Sequence, residues 1–157
     1  MRGDPEIMLK LLVVSFGESG LTYVQQATQA GCEVRVLDCS ESHHNRLESW
    51  YGPSLLLYAE GHRTSVRDVV AKEGFMAALV EESDDFVYTA LITQSLREAG
   101  VRDITVVTAS PLRRGIYQHF GADRVWVTRP PREVWRQLSD VLWLSAGKAV
   151  PPALATV

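Results

Sequence analysis

Two short stretches carry residues whose type and spacing suit the holding of a charged ligand. The first is Ser15-Phe-Gly-Glu-Ser-Gly20, directly after the apolar run Leu11–Val14. A dinucleotide-binding turn reads Gly-x-Gly-x-x-Gly between a strand and a helix, with an acidic residue about 20 positions on. Gly17 and Gly20 stand at the second and third glycine positions, and Ser15 stands at the first. Gly17 would let the backbone approach a pyrophosphate, and Gly20 would let the helix pack on the strand. Ser15 fits the turn if its backbone angles stay negative. A helix opening near Glu18 and Ser19 would present amides and the positive end of its dipole to an anion. The second stretch is Glu33–Asp38, whose last residue lies 18 positions past Gly20. A carboxylate there accepts hydrogen bonds from both ribose hydroxyls and repels a 2′-phosphate, which favours NAD or an unphosphorylated adenosine over NADP. The same glycines would serve packing alone in a scaffold that binds nothing.

Other polar residues have structural readings beside the chemical ones. His43-His44 sit early in an expected surface helix, without a carboxylate or cysteine pair at ligand spacing, and read as a solvated pair. His119 falls at a helix C-terminus, where a cation complements the dipole. Glu81, Glu82, Asp84 and Asp85 cluster after an apolar run. They suit the first turn of a helix or a divalent-cation site. Cys32 is expected to be buried. Cys39 is placed to touch a ligand, with no partner that would make it a nucleophile.

The elements that position these groups follow from periodicity. Strands are expected at Leu11–Val14, Glu33–Asp38, Ser54–Ala59, Phe75–Val80, Ile104–Thr108 and Val125–Thr128. Helices are expected over Gly20–Ala30, about 41–50 with Ser40 as cap, Ser65–Lys72, Asp84–Ala99, Pro111–Phe120 and about 132–146. Strands alternating with helices imply an α/β fold: a Rossmann-like, doubly wound, parallel six-stranded sheet of order 3-2-1-4-5-6, with helices on both faces. The 157 residues, 46% hydrophobic and 22% charged, suit one globular domain. It is expected to span 9–146, between an N-terminal extension 1–8 and a flexible tail 147–157. A net charge of −3 argues against a nucleic-acid platform. The longest apolar run, Phe75–Val80, falls far short of the roughly 20 residues of a membrane span. The N-terminus lacks the apolar core and cleavage site of a secretory signal. Two cysteines make no disulfide framework and match no zinc spacing, so a cytoplasmic location is expected.

With these motifs in place the chain resembles the N-terminal nucleotide-binding lobe of RCK domains, also called KTN or TrkA-N domains, regulators of potassium channels and transporters. The resemblance covers about residues 9–145. It rests on Leu11–Gly20 with its helix, on Glu33–Asp38, on Tyr58-Ala-Glu-Gly-His-Arg-Thr64, and on Tyr117–Pro130 with its Gly-Ala-Asp, strand, proline ending. It implies a regulatory ligand, NAD(H) or AMP/ADP, rather than a redox substrate. Gly17, Glu18, Ser19 and Gly20 would then line the phosphates. Asp38 and Cys39 would meet the ribose, Gly61 and His62 would lie by the adenine, and Val80 with Glu81 would cap the far side. Ser15, Glu18, His62, Glu81 and Tyr88 depart from the family's pattern. Glu18 and Glu81 make the phosphate region less friendly to anions, so ATP ranks last.

The last helix carries the apolar stripe Val134, Trp135, Leu138, Val141 and Leu142, widened by Trp143 and Leu144. It serves either the chain's own core or, as the resemblance implies, a homodimer contact. The partner implied is a membrane potassium channel or transporter subunit, which would hold the domain at the inner face of the membrane. No second ligand-binding lobe follows residue 150, so a fragment of a longer protein or a one-lobe protein is expected. Two competing readings stay open. One is a degenerate lobe that serves assembly without a ligand. The other is a small NAD-dependent oxidoreductase, although the nucleotide fold leaves little chain for a substrate domain.

Overall fold

Continuous apolar runs build a sheet covered on both faces. The computed structural model describes residues 9–60 and 63–145. Its strands are β1 (Lys10–Val14), β2 (Glu33–Asp38), β3 (Leu56–Tyr58), β4 (Ala77–Glu81), β5 (Asp103–Thr108) and β6 (Arg124–Val127). All pair in parallel, in the order β3-β2-β1-β4-β5-β6. The helices are α1 (Ser19–Gln29), α2 (Glu41–Tyr51), α3 (Arg63–Glu73), α4 (Phe86–Glu98), α5 (Arg114–His119) and α6 (Pro131–Ser145).

Side chains alternate across a strand with period two. Leu11 and Val13 therefore join the core beneath α1, α2 and α6, while Leu12 and Val14 join the core beneath α3, α4 and α5. The crossovers are right-handed by rule, so reversing the strand order after β1 moves the helices to the opposite face. The reversal leaves a crevice at the carboxyl ends of β1 and β4, where doubly wound sheets bind ligands.

Several boundaries differ from expectation. Phe75 is buried, but β4 begins at Ala77, and the Lys10 ammonium sits 5.1 Å from the Phe75 ring centroid. β3 keeps three residues because, as an edge strand, it pairs with β2 alone. α4 begins at Phe86 because Asp85 caps it, accepting a hydrogen bond from the Tyr88 amide at 3.1 Å. The helix expected over Pro111–Phe120 divides into a 3-10 turn, Pro111–Arg113, and α5. Ser40 holds the cap position of α2, but its hydroxyl bonds His43 Nδ1 at 2.9 Å instead of a backbone amide. The expected extension 1–8 and tail 147–157 lie outside the described residues. No helix among the described residues is long and apolar enough to cross a membrane.

Candidate functional site

Register and alternation together assemble the crevice. Val14 pairs with Val80, so the next residues, Ser15 and Glu81, leave β1 and β4 side by side. Both follow residues that face the α3–α5 layer and therefore turn toward α1. The Ser15 hydroxyl donates to Glu81 Oε1 at 2.8 Å and accepts from the Gly17 amide at 3.3 Å. Tyr23 of α1 donates to Glu81 Oε2 at 3.5 Å. A Cβ on Gly17 would lie 3.8 Å from Glu81 Oε1, so this carboxylate hangs over the glycine turn. Burial, followed by the Glu81 charge, pushes the Tyr51 hydroxyl up to about 12 and moves Tyr23 in the same direction.

The glycines divide their roles. A Cβ on Gly20 would press on the Tyr51 hydroxyl and lie 3.0 Å from Ser15 Cβ, so a side chain here would require both neighbours to shift. Ser15 keeps a negative φ, as its place in the turn requires. Glu18 is exposed at the start of α1, and Ser19 lines a cleft of about 510 Å³ with Glu81, Glu82 and Arg129.

Asp38 ends β2 on the side facing α2. It is 1% exposed, and its Oδ2 pairs with His44 Nδ1. Its Oδ1 is buried without a hydrogen-bond partner among the described residues. His44 Nε2 lies 3.6 Å from Glu48. The expected solvated histidine pair is therefore corrected. His44 holds Asp38, and the His43 ring packs on Phe16 with centroids 4.7 Å apart. The hydrogen bond and charge of Asp38 raise the His44 pKa above its ordinary value.

Beyond Asp38, a cleft of about 570 Å³ opens between the ends of β2 and β3, lined by Cys39, Ser40, Tyr58, Glu60 and Tyr88 among others. An adjoining cleft of about 410 Å³ takes in Phe16, Gly17, His43, Arg46, Glu81 and Tyr88. Cys39 is nearly buried, with its sulfur 3.2 Å from the Tyr88 hydroxyl. Burial raises both thiols, Cys32 to about 11, so neither is activated. Val80, expected to cap the ligand, is 0% exposed in the core, and Glu81 alone of that pair reaches the crevice. Gly61 and His62 lie outside the described residues.

The acidic cluster divides among separate tasks. Asp85 caps α4 and Glu81 faces the glycine turn. Glu82 accepts from Tyr117 at 2.5 Å, Thr108 at 2.8 Å, Arg113 at 2.8 Å and the Ala109 amide at 3.3 Å. Burial acts to raise the Glu82 pKa, and these hydrogen bonds together bring it below its ordinary value. Sequence reasoning missed Ser15 as a hydrogen-bond partner, and it missed Phe16, Tyr58 and His44. An aromatic at a strand's carboxyl end and a histidine six residues past a strand-ending aspartate were the available signals.

No protein-family model and no curated protein matches the chain. Solved structures do. The NAD(P)-binding domain of an exopolyphosphatase-related protein from Archaeoglobus fulgidus is 21% identical, over 84% of this chain and 96% of its own, at a TM-score of 0.55. The TrkA-N domain of the inner membrane protein ybaL from Escherichia coli is 14% identical, over 88% of this chain and 99% of its own, at 0.56. The GsuK channel bound to NAD is 17% identical, over 87% of this chain and 24% of its own, at 0.56. The chain shares with these domains a doubly wound, Rossmann-like fold. At these identities the likeness is one of architecture, and architecture alone does not carry function.

The last helix packs on its own chain, one of the two roles expected of it. Val134, Trp135, Leu138 and Leu142 are at most 4% exposed within the single chain, packed against α1 and the sheet. Val141 is half-buried. The other four residues of the stripe are thus covered by their own chain.

Proposed function

We propose that this domain is a regulatory lobe that binds an adenosine-bearing ligand, NAD(H) or AMP/ADP, at the carboxyl ends of β1–β4. The observation that carries the reading is Asp38: a buried carboxylate ending β2, with one oxygen lacking a partner among the described residues, next in the chain to Cys39 of the 570 Å³ cleft. A ribose hydroxyl satisfies such an acceptor, and the exposed ring of Tyr58 offers adenine a stacking surface. The regulatory partner is a potassium channel or transporter subunit at the inner face of the membrane, or a second copy of the chain. Occupancy acts by population shift, as far as the ligand binds one geometry of the assembly more tightly than another. Binding without turnover suits the groups present. Both His44 nitrogens face carboxylates, and Glu82 is tied down by four partners.

A second reading, a lobe kept for assembly without a ligand, is favoured by the Glu81 carboxylate over the glycine turn. Calorimetric titration with NADH, NAD, AMP, ADP and ATP separates the two. Micromolar binding of one of them supports the sensor. No heat and no thermal shift at millimolar ligand supports the assembly module. Asp38→Ala is expected to weaken the bound ligand by about 1–3 kcal/mol, the scale of a hydrogen bond to a charged group. Unchanged affinity would remove Asp38 from the site.

A further inference from the structure

Resting on that reading of the crevice, we infer that Glu81 sets the ligand class by standing where the glycine turn would hold a pyrophosphate. Among the adenosine-bearing ligands proposed above, the site then favours AMP or a bare nucleoside over ADP and NAD(H), whose diphosphate binds well only when the Glu81 charge is removed.

Register and hydrogen bonding hold the carboxylate there. The β1–β4 register sets Glu81 beside Ser15, and alternation turns both toward α1. The Ser15 hydroxyl fixes Oε1, while Tyr23 lies within reach of Oε2. The Gly17 amide, a donor that such a turn offers to phosphate, points instead to Ser15 Oγ. The hydroxyl in place of the first glycine thus links the turn's own amide to an internal anion. Tyr51 closes the turn from the α2 side, its buried hydroxyl against Gly20.

Electrostatics favours the same outcome. A phosphate approaching Gly17 would meet Glu81 as a like charge, with Glu18 exposed at the mouth. Nothing comparable opposes the nucleoside end. Tyr58 lines the cleft that begins at Cys39, the residue after the buried Asp38, and this cleft continues into the one that Glu81 lines through the shared residues Ser40 and Tyr88.

The test is calorimetric titration of wild type, Glu81→Gln and Glu81→Ser with adenosine, AMP and ADP-ribose, each variant checked by thermal melting. Glu81→Gln keeps the side-chain shape, and Glu81→Ser serves if the amide disturbs folding. Wild type is expected to bind adenosine at least as tightly as ADP-ribose. Either variant is expected to tighten ADP-ribose by ~10-fold or more, with adenosine moving by less than about twofold. Two results would overturn the role of Glu81 while leaving the nucleotide lobe intact: tighter binding of ADP-ribose than of adenosine by wild type, or an unchanged ratio in both variants. Failure of every ligand to bind wild type and both variants would overturn the lobe reading along with it.

Discussion

His44 shows how a single side chain ties the site to pH. Its imidazole bonds the buried Asp38, and that contact raises its pKa above the ordinary 6.5. A group whose folded pKa exceeds its unfolded value binds protons more readily in the native state. The pair's contribution to stability is therefore complete below about pH 6.5 and is lost as pH rises through the folded pKa. The melting temperature of wild type should exceed that of His44→Ala at pH 6, and the gap should shrink by pH 9. A gap that stays constant between those values would remove the ion pair as its source. Legibility at this scale depended on whether a residue's role was local. Asp38 and Gly20 were readable because a strand end and a helix start fix their neighbours. The Glu81–Ser15 contact was not. It joins residues 66 positions apart and depends on a register that no local pattern specifies.

At the scale of the element, α4 begins where its cap chemistry says, not where its acidic run begins. Asp84 and Asp85 both favour a helix N-terminus, and it is Asp85, with extended backbone, that accepts from the Tyr88 amide. Thr89 reinforces the turn, accepting from the Ser83 amide at 3.0 Å. Asp85→Ala should lower stability by about 1 kcal/mol, measured by urea unfolding with an unchanged m-value. A shift below about 0.3 kcal/mol would mean that the Ser83–Thr89 bonds suffice. All six strands were legible from runs of β-branched and apolar residues, and alternation with helices implied a parallel sheet, for which the observed order was the natural candidate. Pro111 marked the start of a helical segment but not its type. The chain takes a 3-10 turn first, with the Ser110 hydroxyl accepting from the Leu112 amide at 3.3 Å. A choice between i+3 and i+4 bonding at a helix start turns on a few tenths of an ångström, which composition does not encode.

For the molecule as a whole, α6 decides whether the domain stands alone. Its apolar residues at 134, 135, 138 and 142 follow helical spacing, a pattern shared by a core-facing helix and a dimer-forming one. The sequence therefore left both open. In the folded chain Leu138 is 0% exposed beside Val134 and Trp135, over the layer that α1 and α2 also cover. Deleting most of its side chain leaves a cavity in a packed region, so Leu138→Ala should cost about 2–5 kcal/mol. Size alone does not separate the alternatives, since a buried dimer contact would show a similar loss. Concentration does. A core residue acts within one chain, so the melting temperatures of wild type and Leu138→Ala should both hold steady across a hundredfold range of protein concentration. An obligate dimer built on this stripe would instead melt higher as concentration rose, because association stabilises the folded state by mass action. A concentration-dependent wild type whose dependence vanishes in Leu138→Ala would move the stripe from the core to an interface. It would also reopen α6 as the element through which ligand occupancy reaches a second copy.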